Sequence, residues 1–209
     1  CFRDDNVGNP QDSNGDGNAT APAAGNWYVI RYTDNSDDAF NVLNYAVFKY
    51  GGYGANASIF TTTNASPTLN NSVIDQAYGG IRCEGNSAGF FNNVTLQNTW
   101  YPIGMSLTSN PTFTNITYSA NSDNGIWIID YTLSSNATLT KRNVAGFTNI
   151  PYLISTLTIS EGATLTLEPG IIIKVTSGGA AIFVSGGLNA TGTSSQKIYF
   201  TSSYDDAVG

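Results

Sequence analysis

Short stretches in which apolar and polar residues alternate run through the whole chain. In Thr164–Leu167, for example, the leucines would face one side of a strand and the threonines the other. Glycine, asparagine, serine and proline residues separate these stretches, and no long window repeats apolar residues at the helical spacing. The pattern predicts an all-β chain of short strands joined by tight turns.

The predicted strands recur at a fixed distance in the first half of the chain. An apolar residue and, two positions later, an asparagine repeat every 22 residues. The apolar series is Leu69, Phe91 and Phe113, and the asparagine series is Asn71, Asn93 and Asn115. One such coil cannot bury its own apolar face, so this period predicts coils that stack into a solenoid. We therefore expect a parallel β-helix with coils of about 22–26 residues. An antiparallel sandwich also explains many short strands, but it does not explain identical offsets.

Uncharged polar residues, rather than ions, must cover the surface of this protein. Hydrophobic residues make up 41% of the 209 residues and charged residues only 11%, with a net charge of -7 and no histidine. The scattered basic residues argue against nucleic-acid binding, which requires clustered positive charge. The lack of histidine argues against zinc sites and Ser-His-Asp triads. No apolar run in the sequence is long enough to span a membrane.

Two segments of the second half carry a family resemblance: Ile159–Lys174, and Gly187–Thr193 followed by Lys197–Ser202. The first resembles the opening coils, and the second the coil that comes next, of secreted bacterial right-handed parallel β-helix proteins of the surface, fibre and adhesin type. Gly25–Trp27 and Asn41–Val47 resemble a later part of the pattern, although here they lie near the start of the chain. The resemblance implies the fold, an all-β right-handed parallel β-helix. It leaves function open, because this fold carries fibres, adhesins and polysaccharide-cleaving enzymes alike.

An eight-residue motif occurs twice, at an offset of 201 residues. Ser202–Gly209 repeats Cys1–Gly8, with Asp-Asp-x-Val-Gly in common. We interpret 1–209 as a single β-helical unit, cut at an arbitrary point from a tandem array with a period of about 201 residues. The alternatives are that the motif recurs by chance or as a repeat within one domain. Within it we expect an Asp/Asn/Gly-rich loop at 1–25, regular 22-residue coils over 26–131 and coils of the opening type over 132–209.

Asp12–Gly17 matches the opening of a calcium-binding loop. Its oxygen-bearing side chains alternate at Asp12, Asn14 and Asp16, and Gly17 permits the sharp turn. The glutamate that an EF-hand needs at the twelfth position is replaced by Ala23, so this is not an EF-hand. The hypothesis is a shorter Ca²⁺ loop completed by Asp4, Asp5 or a backbone carbonyl. An Asx-rich turn without metal is the alternative.

The residues that could support catalysis are few and dispersed, so we expect that this chain is not an enzyme. Asp37 and Asp38 are adjacent, and nothing fixes their separation as glycoside hydrolysis requires. If the resemblance extended to the polysaccharide lyases of this fold, it would imply basic residues beside a bound calcium ion. Here the basic candidates occur singly and without an acidic trio on the same coils; they are Arg31, Lys49 and Arg82. A sugar-stacking groove is the alternative to simple packing for the aromatic residues Trp27, Trp100, Trp127, Tyr50, Tyr53 and Tyr101.

These observations favour a structural repeat unit of an extracellular filament or cell-surface protein. Its expected partners are copies of itself stacked head to tail, and surface glycans. The Asn-x-Ser/Thr sequons, such as those at Asn70 and Asn93, fit a secreted location. The alternative is a carbohydrate-binding or polysaccharide-cleaving β-helix, which an acidic cleft bracketed by an arginine or lysine would favour. Pairing of Cys1 with Cys83 stays open at the level of sequence.

Overall fold

A computed structural model of the chain describes residues 1–54 and 56–208; Gly209, the last residue of the repeated motif, lies outside them. The described residues form twenty strands and no helix. The strands are β1 (Ile30–Tyr32), β2 (Val42–Asn44), β3 (Val47–Lys49), β4 (Ala57–Thr61), β5 (Thr68–Asp75), β6 (Gly79–Cys83), β7 (Phe90–Gln97), β8 (Tyr101–Met105), β9 (Thr112–Thr114), β10 (Thr117–Ser119), β11 (Ile126–Ile128), β12 (Thr132–Leu133), β13 (Ala137–Leu139), β14 (Tyr152–Ile154), β15 (Leu157–Ile159), β16 (Thr164–Leu167), β17 (Ile172–Val175), β18 (Ile182–Val184), β19 (Gly187–Asn189) and β20 (Tyr199–Ser202).

The strands stack as a parallel β-solenoid, which confirms the predicted fold. One sheet runs the length of the solenoid in the order β1-β4-β6-β8-β11-β14-β17-β20. A second sheet contains β2, β3, β5, β7, β9 and β10, and two three-stranded sheets, β12-β15-β18 and β13-β16-β19, form the later coils. Every pairing between these strands is parallel, because each coil brings the chain back to the same side in the same direction.

The register of the long sheet explains why the 22-residue period is visible only in part of the sequence. Ile59 pairs with Ile81, and Ile81 with Ile103, a step of 22 residues each time. The step from Ile126 to Tyr152 is 26 residues. Longer coils place extra residues in the turns while the inward column continues, so the register survives although the spacing changes.

Inward-facing side chains of successive coils form continuous apolar columns. Leu69 pairs with Phe91, and Phe91 with Phe113. Leu69 and Phe91 are almost fully buried, and the partly buried Phe113 packs against the same core. The rings of Phe91 and Phe113 are stacked with centroids 5.4 Å apart. The predicted column is therefore confirmed, and it is the interior of the solenoid.

The asparagines beside this column form one corner of the coil. Asn71, Asn93 and Asn115 have φ angles of 48°, 54° and 50°, a left-handed conformation that asparagine tolerates better than most residues. The Asn93 amide donates a hydrogen bond to the Asn71 side-chain oxygen at 2.7 Å, and Asn71 donates to Asn44 at 2.9 Å. The side chains of Asn93, Asn71 and Asn44 therefore form a hydrogen-bonded ladder along this corner. Tyr45 has the same φ, 54°, one coil earlier.

Candidate functional site

The acidic loop brings three carboxylates together. Ligand oxygens of Asp5, Asp12 and Asp16 lie within 4.8 Å of one another. The Oδ1 atoms of Asp5 and Asp16 are buried and have no hydrogen-bond partner among the described residues. Burial raises the pKa of Asp5, and the neighbouring carboxylates of Asp12 and Asp16 raise it further. A divalent cation bound between them would offset this repulsion, and calcium takes oxygen ligands of this kind.

The local sequence shapes the loop around the Asp12 side chain. Its carboxylate accepts backbone hydrogen bonds from Gly15 at 2.7 Å, Asp16 at 3.2 Å and Gly17 at 2.9 Å. Gly15 and Gly17 have φ angles of 72° and 69°, so glycine is required for this tight turn. Asn14 belongs to the loop but directs its amide N–H to the Asp16 carboxylate at 3.0 Å.

Of the two acidic residues expected to complete the loop, the structure brings in Asp5. Asp4 is itself buried, and its Oδ1 accepts a hydrogen bond from the backbone N–H of Asn6 at 3.2 Å. The sequence could not separate these two adjacent residues, because the direction of each side chain depends on the turn between 1 and 8.

The described residues of the two motif copies make equivalent local hydrogen bonds. The Asp4 N–H donates to the Cys1 carbonyl at 3.1 Å, and the Asp205 N–H donates to the Ser202 carbonyl at 3.0 Å. The Asp205 carboxylate also accepts the backbone N–H of Ala207 at 3.0 Å, as Asp4 accepts that of Asn6. The 201-residue offset therefore relates equivalent hydrogen bonds as well as similar sequences.

The second copy of the motif is fixed to the preceding coil. The Lys174 ammonium donates to the Asp205 carbonyl at 2.7 Å, and the Thr201 hydroxyl donates to the Asp205 carboxylate at 2.6 Å. The hydrogen bond from the Thr201 hydroxyl lowers the pKa of the Asp205 carboxyl most, and the Ala207 N–H and the positive charge of Lys174 lower it further.

The last described coil leaves its inward column uncovered. Phe200 follows Ile173, and Val184 follows Ile159, in the parallel register. Ile173 and Ile159 are buried, whereas Phe200 and Val184 are each 48% exposed. These two side chains occupy core positions of the solenoid but contact no further coil among the described residues.

Aromatic side chains gather at the corner that leads into the long sheet. Tyr78 and Trp100 have ring centroids 5.0 Å apart, and Trp100 and Trp127 have centroids 5.6 Å apart. Tyr101 lies beneath them, 4% exposed, with its ring edge against Tyr78 and Trp100. Trp100 is 42% exposed, and the neighbouring Tyr131 is 73% exposed. We call Tyr78, Trp100, Trp127 and Tyr131 the aromatic shelf.

An arginine and two carboxylates adjoin the aromatic shelf. Arg82 lines the same groove as the shelf, and its guanidinium forms an ion pair with Glu84, with Nε 2.9 Å from the carboxylate oxygen. On its other side Arg82 covers the Phe60 ring, 5.3 Å from its centroid. Glu84 and Asp130 line the next groove along the surface, and burial raises the pKa of Asp130. Here an acidic surface is bracketed by an arginine.

Sequence reasoning identified part of this aromatic shelf. It singled out Trp100, Trp127 and Arg82, but missed Tyr78, Tyr131 and the carboxylates. Tyr78 precedes Trp100 by 22 residues, which is a signal that the period itself offered. Trp27 lies on another coil, where its indole N–H donates to the Lys49 carbonyl at 2.5 Å. Tyr50 and Tyr53 are likewise on other coils, so the predicted aromatic set does not form one groove.

Other residues that the sequence offered as catalytic candidates make contacts that hold the fold. Asp38 accepts the backbone N–H of Ser66 at 2.8 Å, and Asp37 accepts that of Ala39 at 3.1 Å, so these carboxylates hold a loop. Arg31 covers Phe60 from the opposite side to Arg82, with a distance of 4.5 Å to the ring centroid.

The two cysteines are not paired, which answers the question left open by the sequence. Cys83 is buried, and burial raises the pKa of its thiol to about 12, so it behaves as an apolar core residue. No helix among the described residues has the length and apolar character needed to cross a membrane. Comparison with protein-family profiles, with curated proteins and with solved structures gave no match for this chain.

Proposed function

We propose that this chain is a structural repeat unit of an extracellular filament or cell-surface protein, in which units stack head to tail. The observation that carries the proposal is the repeated motif, which has equivalent hydrogen bonds at Asp4 and Asp205. If the second copy begins the next unit, β20 leads into that unit's first coil. The solenoid then continues across the junction without a change in chain direction.

The exposed apolar column supports the same proposal. Phe200 and Val184 occupy inward positions, and a further coil would bury them as Ile173 and Ile159 are buried. A contact of this kind is heterologous, because the two ends are different surfaces, so it produces a linear assembly and not a closed dimer.

The register sets the length of one repeat. Seven steps join the eight strands of the long sheet, and the step across the junction is the eighth. At about 4.8 Å per coil, each unit should advance the filament axis by about 38 Å.

Calcium has a place in this proposal, because the acidic loop follows the first copy of the motif directly. Asp5 belongs to the motif, while Asp12 and Asp16 belong to the loop that precedes β1. A Ca²⁺ ion bound by all three would fix the loop to the junction, and so stiffen the joint between units.

Two experiments test head-to-tail stacking. Light scattering after size-exclusion chromatography should show linear oligomers that grow with protein concentration. Val184→Asp should abolish this growth, whereas Phe183→Asp serves as a matched control, because Phe183 is also exposed but pairs with the outward-facing Thr158. A fused pair of units should form one continuous rod in electron micrographs. A monodisperse monomer at all concentrations, together with a fused pair that appears as two hinged bodies, would contradict the proposal.

A further inference from the structure

We propose that the aromatic shelf, together with the Arg82–Glu84 pair, binds a neutral polysaccharide. This inference is independent of head-to-tail stacking, because the shelf lies on the side of the solenoid and not at its ends. Four properties of the shelf support it: its continuity over successive coils, its fixed geometry, its exposure to solvent and the balance of charge around it.

The shelf is continuous because the coils stack. The Trp100 N–H donates to the Tyr78 carbonyl at 3.0 Å, and the Asp123 N–H donates to the Trp100 carbonyl at 3.0 Å. Tyr78, Trp100 and the Asp123–Trp127 segment therefore occupy three successive coils. At about 4.8 Å per coil they span roughly 10 Å along the axis, a length suited to a short run of linked sugar rings.

The rings are held in place before any ligand arrives. The Trp127 indole N–H donates to the Asp123 carboxylate at 2.8 Å, which fixes the plane of the indole. Tyr101 packs edge-on beneath Trp100, with centroids 5.8 Å apart, and is itself buried. A ligand that stacks on these rings loses little of its binding energy to ordering the protein.

The four residues of the aromatic shelf line one groove, and two of them are exposed to solvent. Most of the inward aromatic residues are buried, as Phe91 and Tyr152 are. By contrast, Trp100 keeps 42% and Tyr131 keeps 73% of its surface in contact with solvent, and both line one groove with Trp127. A contiguous exposed apolar surface with polar groups at its rim is typical of a binding site.

Charge around the shelf favours an uncharged ligand. The positive charge of Arg82 is already matched by Glu84, and the carboxylates of Asp123 and Asp130 also lie beside the shelf. An acidic sugar or a nucleic acid would meet unbalanced negative charge there. The hydroxyl groups of a neutral sugar can donate to Glu84 and accept from Arg82, while the apolar faces of its rings stack on Trp100 and Trp127.

Tryptophan fluorescence provides a direct test with the intact chain. Soluble oligomers of neutral β-glucan, xylan and mannan should be titrated in parallel, with an oligogalacturonate as the acidic comparison and a proline-rich peptide as a non-sugar aromatic ligand. We expect at least one neutral oligosaccharide to change the fluorescence saturably, and the oligogalacturonate and the peptide to bind at least tenfold more weakly.

Variants then locate the site. Trp100→Ala should weaken binding of the neutral oligosaccharide at least tenfold, while Trp100→Phe should retain part of the affinity because a ring is kept. Phe90→Ala should bind as the unmodified chain does, since Phe90 is 43% exposed but lies on another sheet. Circular dichroism establishes that each variant is folded, and isothermal titration calorimetry repeats the measurement without relying on tryptophan emission.

Three outcomes would overturn the proposal. The first is that none of the neutral oligosaccharides binds at millimolar concentration. The second is that the oligogalacturonate or the proline-rich peptide binds more tightly than every neutral oligosaccharide. The third is that folded Trp100→Ala binds the neutral oligosaccharide as well as Phe90→Ala does.

Discussion

Phe91→Ala tests whether the inward aromatic column holds the solenoid together. Phe91 is fully buried between Leu69 on one coil and Phe113 on the next. Its ring also lies close over Gly89, where an added Cβ would come within 2.8 Å of the ring. Removing the ring leaves a cavity that the neighbouring strands cannot easily fill, because backbone ladders fix their separation.

The expected loss of unfolding free energy follows from this environment. Replacing a buried phenylalanine with alanine costs about 3–5 kcal/mol, from lost burial and from the cavity. For a chain of this size, 1 kcal/mol shifts the melting temperature by about 2–4 °C, so we expect a fall of about 6–20 °C. Phe113→Ala should cost less, because Phe113 is only partly buried.

Phe90→Ala is the matched control for this measurement. Phe90 is the adjacent residue of the same strand, but its side chain points outward and is 43% exposed, so its removal should cost less than about 1 kcal/mol. Urea denaturation at equilibrium should show a lower midpoint for Phe91→Ala with an unchanged slope. Equal urea midpoints for the two variants would refute the conclusion that the buried Phe91 ring stabilises the core.

Three further predictions concern the corner, the acidic loop and a buried carboxyl. Asn93→Ala should lower the unfolding free energy by about 1–2 kcal/mol, because alanine at φ 54° is strained and the ladder hydrogen bond is lost. The control Asn92→Ala should change the unfolding free energy far less. Equal effects of the two substitutions in urea denaturation would contradict the assignment of Asn93 to the corner. Saturating Ca²⁺ at a hundred times its dissociation constant should stabilise the chain by about 2.7 kcal/mol. A chelator should reverse this, Asp12→Asn should remove it and Asp37→Asn should keep it, whereas melting curves indifferent to calcium would rule out the site. Asp130→Asn should make stability less dependent on pH. Burial raises the folded-state pKa of Asp130, so its ionisation destabilises the fold as pH rises from the unfolded pKa of about 3.9 through the raised value. Identical pH profiles for the two proteins would contradict this.

The solenoid could be predicted from the sequence alone, because every stacked coil requires the same kind of residue at the same position. Leu69, Phe91 and Phe113 must all be apolar to form one column, and Asn71 and Asn93 must both tolerate the left-handed corner. A residue requirement that recurs at a constant spacing produces a period that is visible in the sequence without a structure. The Asp12–Gly17 loop could be identified for a different reason, because its acidic residues and glycines are neighbours in the chain.

Only the tertiary structure decided which residues from different coils meet at the surface. Trp127 lies 27 residues after Trp100, whereas the residue in register with Trp100 is Asp123, four positions before Trp127. The Trp127 side chain reaches the shelf because its indole N–H donates a hydrogen bond back to the Asp123 carboxylate. Glu84 and Asp130 lie on neighbouring parts of one surface although 46 residues separate them. The coils differ in length because their turns differ in length. A turn that differs from coil to coil does not recur, so it produces no period in the sequence. The interior therefore follows from the repeated pattern, whereas the surface sites depend on the particular length and turn of each coil.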